Sequence, residues 1–338
     1  MTHEFKHIIT QAFVNQQQAL KCALASVVFL EGSSYRKPGV RMLICENGDI
    51  TGAVSGGCIE KEIVKRAQSV FKDGKAKVMT YDGRYRLGCE GILYILIEPF
   101  QVSQALLNAF NESQDARESF QIQSYYQLED NSVGNYGSLI TFKDHLSITF
   151  SSNFNIKTVQ KLEVFEQELK PCFKLLIIGG EHDSVKLCSM ASLLGWEVEV
   201  ICSIKDPKLI SNFPGATSVE SHTPETLTLE VDDNTAVVLM THNYVQDLKY
   251  LLKLDGLKPI YIGILGSVKR REQLQNDLLH YKEDLSETTL ERIYSPAGLN
   301  IGAITPEEIA LSILSEILTV VRHRQPASLR DVTKKINL

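Results

Sequence analysis

Apolar residues along this chain change their rhythm near Lys170-Pro171. Before that point the apolar runs are short and β-rich, with Gly and Asn turns between them. Ala23 to Leu30 is a nearly continuous apolar run that predicts a buried strand, ending at Glu31-Gly32-Ser33-Ser34. Arg41 to Cys45 and Ile50 to Val54 flank Asn47-Gly48, whose tolerance of positive φ predicts a hairpin. Ile63, Ala67 and Val70 recur at helical spacing and predict a helix over about 59–71, and Ile92 to Ile97 reads as another buried strand. The stretch 101–169 reads as a helix and two or three strands of the same domain.

Beyond Pro171 the pattern becomes β-α-β. Phe173 to Ile178 predicts a strand running into Gly179-Gly180, and a helix carrying Val185, Cys188, Ala191 and Leu194 stops at Gly195, a residue suited to a left-handed C-cap. Strands follow at Val198 to Ile201, Ala236 to Met240 and Pro259 to Leu265, with helical segments between them. The last helix opens with Thr305 as cap, Pro306 in the first turn and Glu308 closing a capping box. Ile309, Ile313, Leu314, Ile317 and Val321 then form one apolar stripe. The fold class is therefore α/β: a mixed α/β domain over 1–171, then a Rossmann-like, doubly wound parallel-sheet domain over 172–338.

Composition narrows the function classes. With 338 residues and 43% apolar content, the chain can bury two cores. A net charge of -6 supplies no basic field for nucleic acid. No run of about 18 apolar residues predicts a membrane span, and Met1 to Lys6 carries no apolar signal core. Seven cysteines, an odd number without framework spacing, suit a reducing cytoplasm.

Three segments of the first domain carry candidate chemistry. Gly32 to Arg41 combines glycines, Ser33 and Ser34 with Arg36, Lys37 and Arg41, a composition for a phosphate or another compact anion and equally for a solvated turn. Ser55-Gly56-Gly57-Cys58 sets Cys58 where a strand hands over to a helix, and free N–H groups there stabilise a thiolate. Its bland counterpart is a small buried cysteine in a Gly-rich turn. Gly88-Cys89-Glu90-Gly91 presents a second cysteine between glycines. Together Cys58 and Cys89 could offer soft sulfur to a metal or pass sulfur as persulfide, although their separation is not a zinc spacing. Cys22, Cys45, Cys188 and Cys202 fall in apolar segments, where core packing is the expectation.

In the second domain the turn Gly179-Gly180-Glu181-His182 stands where a dinucleotide fold holds pyrophosphate. Glu181 and Ser184 interrupt G-x-G-x-x-G, and Ile201-Cys202-Ser203 lacks the ribose-binding acid, so the pattern argues against NAD(P). Thr241-His242-Asn243 and Gly266-Ser267, with Lys269, Arg270 and Arg271 following, mark two further strand ends where such sheets bind ligands. Each of these also reads as ordinary turn chemistry.

In order along the chain, Gly32-Ser33-Ser34 through Pro38-Gly39 and Arg41-Met42, then Ser55 to Cys58, then Gly88 to Gly91, resemble the N-terminal domain of the XdhC/CoxI family of xanthine dehydrogenase and CO dehydrogenase maturation factors. Leu176 to Gly179 with His182, Leu194-Gly195-Trp196, Thr241 to Asn243 with Asp247, Tyr261-Ile262-Gly263, Ser295 to Ala303 and Thr305 to Ala310 resemble its Rossmann-like domain. The resemblance implies a chaperone more than a catalyst: it would bind and protect the molybdenum cofactor, help exchange an oxo ligand for sulfido, and deliver the product to a xanthine-dehydrogenase-type apoenzyme. A cysteine desulfurase as sulfur source and a homodimer belong to the same expectation. Carried over, Cys58 and Cys89 become the contacts for molybdenum or sulfur, and Arg36, Lys37 and Arg41 the partners of the pterin phosphate. Glu90, Glu181 and Cys202-Ser203 depart from the family's pattern, the last two in positions that bear on nucleotide binding.

Overall fold

The computed structural model describes residues 1–32, 34, 37–55, 57–85, 91–159, 161–282 and 286–331. Two compact units result, Met1–Pro171 and one that begins at Cys172.

The first unit opens with helix α1 (Thr2–Gln17), which the apolar rhythm does not announce. Its buried face, Phe5, Ile8, Ile9 and Ala12, is narrow and is flanked by buried polar Thr2 and Asn15. Strands β1 (Cys22–Glu31), β2 (Arg41–Cys45) and β3 (Ile50–Gly52) follow, then α2 (Cys58–Asp73), β4 (Ala76–Asp82), β5 (Ile92–Pro99) and α3 (Gln104–Asp115). After these come β6 (Phe120–Tyr126), β7 (Val133–Gly134), β8 (Gly137–Thr141), β9 (Ser147–Thr149) and β10 (Glu163–Leu169). One sheet runs β3-β2-β1-β5-β4-β7 and a second runs β10-β6-β8-β9. Among its described residues the segment 101–169 thus holds a helix and five strands rather than two or three. The surplus strands were hidden because β10 is mostly polar and β6 buries only every second residue.

The expected hairpin forms, with β2 antiparallel to β3. Ile63, Ala67 and Val70 of α2 pack on one face of the first sheet, against Ala25, Val27 and Ile95. On the other face α1 and α3 bury Phe5, Ile8, Leu106 and Phe110 with Phe120 and Phe150. Burial on both faces is what stabilises short strands, at about 25 cal/mol per Å² of apolar surface removed from water.

The second unit is built from β11 (Lys174–Ile178), α4 (His182–Leu193), β12 (Glu197–Ser203), β13 (Ser218–His222), β14 (Thr235–Leu239), α5 (Tyr244–Leu254), β15 (Tyr261–Ile264), α6 (Val268–Tyr281), α7 (Glu287–Glu291), β16 (Ile293–Tyr294) and α8 (Pro306–Val321). Its sheet is ordered β13-β12-β11-β14-β15-β16, and every pairing is parallel. Numbered within the unit, that is 3-2-1-4-5-6, the doubly wound Rossmann order with its reversal between β11 and β14. β11 and β14 are buried along their whole length, since helices cover both faces. α8 begins as its sequence foretells. Thr305 Oγ1 accepts from the Glu308 amide at 3.3 Å, Glu308 Oε2 accepts from the Thr305 amide at 2.9 Å, and Ile313, Leu314 and Ile317 are buried. Among the described residues no helix is long and apolar enough to cross a membrane.

Candidate functional site

In the first unit, Cys58 is the first residue of α2, behind Gly57 at φ +122°. The short loop before it is tied down by Glu60. Its carboxylate accepts hydrogen bonds from the Ser55 amide at 2.5 Å, the Ser55 hydroxyl at 3.1 Å and the Gly57 amide at 2.8 Å. Burial works to raise this carboxyl's pKa, but the bonds from Ser55, its own amide and Gly57 outweigh it and hold the group below its ordinary value. These bonds occupy amides that the residue pattern alone leaves free for a thiolate. The anion seated beneath the loop is the chain's own. Gly56, Cys89 and the Cys58 thiol lie outside the described residues, as do Ser33 and Arg36. Lys37 is exposed and Ser34 half-buried.

Arg41, grouped with those cations by its neighbourhood in sequence, sits in the interior of the unit at 6% exposure. It donates to the Gly39 carbonyl at 2.9 Å and to Gln167 Oε1 at 2.6 Å, and its guanidinium lies 5.4 Å from the Phe5 ring centroid. Burial lowers its pKa to about 10, opposed by the field of Glu98, itself wholly buried on β5. Arg41 opens a strand that is buried along its whole length, and its guanidinium is held by core partners rather than presented to solvent.

In the second unit, a cavity of about 270 Å³ opens at the carboxyl ends of the strands. Gly179, Gly180, Thr241 and Asn243 line it, joined by Glu181, Asp206, His222 and Glu225. Gly179 has φ +150°, and a Cβ there would run into the Met240 carbonyl, so the first turn presses directly on the end of β14. Glu181 is the N-cap residue of α4 and lines the cavity beside the turn. A carboxylate in that position, with Ser184 Oγ donating to the Glu181 carbonyl at 2.6 Å, does not fit a dinucleotide's pyrophosphate.

The other strand ends serve an ion pair whose carboxylate is buried. Thr241 Oγ1 donates to Asp247 Oδ1 at 2.6 Å, and Arg270 Nη2 donates to Asp247 Oδ2 at 2.5 Å. Asp247 is 1% exposed; burial raises its pKa, against the Thr241 hydrogen bond and the Arg270 charge. Gly266, at φ +156°, is required there, because a Cβ would come within 2.6 Å of Arg270 Cδ. Ser267 caps α6 through its Oγ, which accepts from the Arg270 amide at 3.3 Å. His182 is exposed at the head of α4, and His242 adopts φ +53° with Nε2 3.7 Å from Asp183 Oδ2.

Over residues 16–82 the sequence matches the family described as XdhC and CoxI, and over 175–317 it matches the XdhC Rossmann domain. The chain belongs to the XdhC and CoxI family. Among relatives of this XdhC-family chain, a probable xanthine dehydrogenase subunit of Bacillus subtilis is 29% identical over 334 residues, covering 92% of this chain and 96% of the relative. A molybdenum cofactor insertion chaperone of Escherichia coli, PaoD, is 24% identical over 333 residues, covering 97% and 92%. A crystal structure described as a xanthine dehydrogenase from Bacillus halodurans superposes with a TM-score of 0.76 at 26% identity, covering 95% of this chain and 97% of that one.

Within the XdhC Rossmann domain, four of the residues picked from sequence share the cavity, whereas Gly266 and Ser267 shape the Arg270 pair and His182 and His242 do not line the cavity. Asp206, His222 and Glu225 carry no local signal. Only the parallel pairing of β12 and β13 beside β11 brings them to the same rim.

Proposed function

We propose that this chain is a maturation factor that binds the molybdenum cofactor as cargo, assists its sulfuration and inserts it into a xanthine-dehydrogenase-type apoenzyme. Cys58 and Cys89 contact the molybdenum or carry the sulfur, and Ser33, Ser34, Arg36 and Lys37 meet the pterin phosphate. The factor works in the cytoplasm as a homodimer and draws sulfur from a cysteine desulfurase. The observation that carries this reading is a cysteine at the first position of α2, on a loop tethered by Glu60, in a chain that aligns over nearly its whole length with a relative named as a molybdenum cofactor insertion chaperone. A cysteine sulfur is the side-chain donor that ligates soft metal and accepts sulfur as its thiolate. After incubation with isolated cofactor and gel filtration, the wild-type chain is expected to retain molybdenum and pterin, and Cys58→Ala to lose most of both. Full retention and transfer by the Cys58→Ala/Cys89→Ala double variant would overturn the proposal.

A second reading, a nicotinamide-dependent oxidoreductase, is favoured by the 3-2-1-4-5-6 strand order alone. Glu181 opposes it. Calorimetric titration with NAD(H) and NADP(H) is expected to give no heat or millimolar binding, and a micromolar dissociation constant would revive that alternative.

A further inference from the structure

Two cysteines outside the family's motifs meet in the first unit. Cys22, the first residue of β1, and Cys45, the last of β2, are direct partners in the antiparallel pairing. The Cys22 carbonyl accepts from the Phe100 amide at 2.9 Å, and the Cys45 amide donates to the Asp49 carbonyl at 2.9 Å. These main-chain groups therefore point away from each other, while the Glu46 amide donates to the Lys21 carbonyl one position along. The cysteines form a non-hydrogen-bonded pair, the kind whose Cα atoms approach to about 4.5 Å and whose side chains lie close together. That separation is inside the window of about 4.4–6.8 Å that a disulfide spans. The sulfurs are already 3.5 Å apart, so a turn about the Cα–Cβ bonds closes the gap without any strand sliding.

A route to the pair exists. Cys22 lines an open cavity of about 700 Å³ at the ends of α1 and α2, walled by Leu20, Phe71 and Phe100 and rimmed by Lys21 and Ser103. Burial, and then the neighbouring Cys45, push the Cys22 thiol up to about 12, so Cys22 rests as a thiol at neutral pH. Asn15 Nδ2 donates to Cys45 Sγ at 2.8 Å and ties the sulfur pair to the last turn of α1.

We propose that Cys22 and Cys45 form a reversible redox site that closes to a disulfide when a small hydroperoxide enters the cavity. The Cys22 thiol attacks the outer peroxide oxygen and becomes a sulfenic acid as the O–O bond breaks, its proton passing to the departing oxygen, which leaves as the alcohol, or as water in the case of hydrogen peroxide. The second sulfur attacks the first, forming the S–S bond as the sulfenic oxygen leaves as water. Two thiols are oxidised by two electrons, and one peroxide bond is reduced. Closure draws Cys45 Sγ towards Cys22 and off Asn15, which loosens the end of α1.

The test uses the full chain, treated with hydrogen peroxide, alkylated, and digested without reductant. Mass spectrometry is expected to find one cross-linked pair of peptides containing Cys22 and Cys45, lighter by two hydrogens than its reduced parts and abolished by dithiothreitol. Cys22→Ser and Cys45→Ser should each lose it. Recovery of both residues as alkylated thiols or sulfonic acids in the wild-type chain, or a bridge from either to a different cysteine, would overturn the site. The wild-type peptides decide the matter even where a serine variant folds poorly.

Discussion

Replacing Asp247 by alanine is expected to lower the unfolding free energy of the C-terminal unit by about 1.5–3 kcal/mol, the usual worth of hydrogen bonds to a charged group, because the carboxylate is buried while Arg270 keeps part of its surface in water. Asp247 is almost wholly buried, and it accepts from both Thr241 and Arg270. Among the described residues Arg270 has no second carboxylate to pair with: its Nε is buried without a hydrogen-bond partner, and its guanidinium lies 5.7 Å from the Tyr244 ring centroid. Truncation leaves that partly exposed cation without its counter-charge. The Asp247→Leu/Arg270→Met double variant should recover much of the loss, because a well-packed apolar pair no longer carries the desolvation term. Urea midpoints of the three proteins measure this. A change below about 1 kcal/mol for Asp247→Ala would show that the pair does not hold the rim together.

Glu98 produces an effect of similar size that is read out by pH. Its side chain is fully buried, and Ser138 donates to it from the amide at 2.7 Å and from the hydroxyl at 2.6 Å. Burial raises its pKa from 4.5 to about 7, only partly opposed by Ser138 and Arg41. The folded state therefore holds this proton more tightly than the unfolded chain does. Glu98 contributes stability that is complete below its ordinary pKa and is lost as pH rises towards 7, in total about 3 kcal/mol. Glu98→Gln, which keeps an acceptor for the Ser138 amide, should remove that slope. Comparing urea midpoints at about pH 5 and about pH 7 isolates the group, since all other titrations are shared by the two proteins. Parallel slopes for wild type and Glu98→Gln would mean that Glu98 is ionised across the whole range.

The candidate site was legible in part. Cys58 could be assigned to a helix start because a strand, two glycines and a run of helical spacing stand in order there. Glu60 as the anion beneath that loop was not, although it stands three residues after Gly57 in the position of a capping-box acid. Thr241 and Asn243 were recognisable as a strand end, while the reach of Arg270 back to Asp247 needs β14 and β15 side by side. Arg41 shows the limit most clearly. A cation next to a Gly-rich segment reads as surface chemistry until the second sheet brings Gln167 onto it.

Residue order alone determined what depends on neighbours within a few positions: the Asn47-Gly48 hairpin, the inner face of α2, the capped start and apolar stripe of α8, and the β-α-β alternation that dictates a parallel sheet. Tertiary structure decided whatever joins residues distant along the chain. It chose the 3-2-1-4-5-6 order, folded β6, β8, β9 and β10 into a sheet of their own, buried Arg41 with Glu98, and brought the Cys22 and Cys45 sulfurs into contact. The reason is physical. Turns and caps close over three or four residues and carry their own hydrogen bonds, whereas strand pairing is settled by which apolar faces best cover one another across the whole domain.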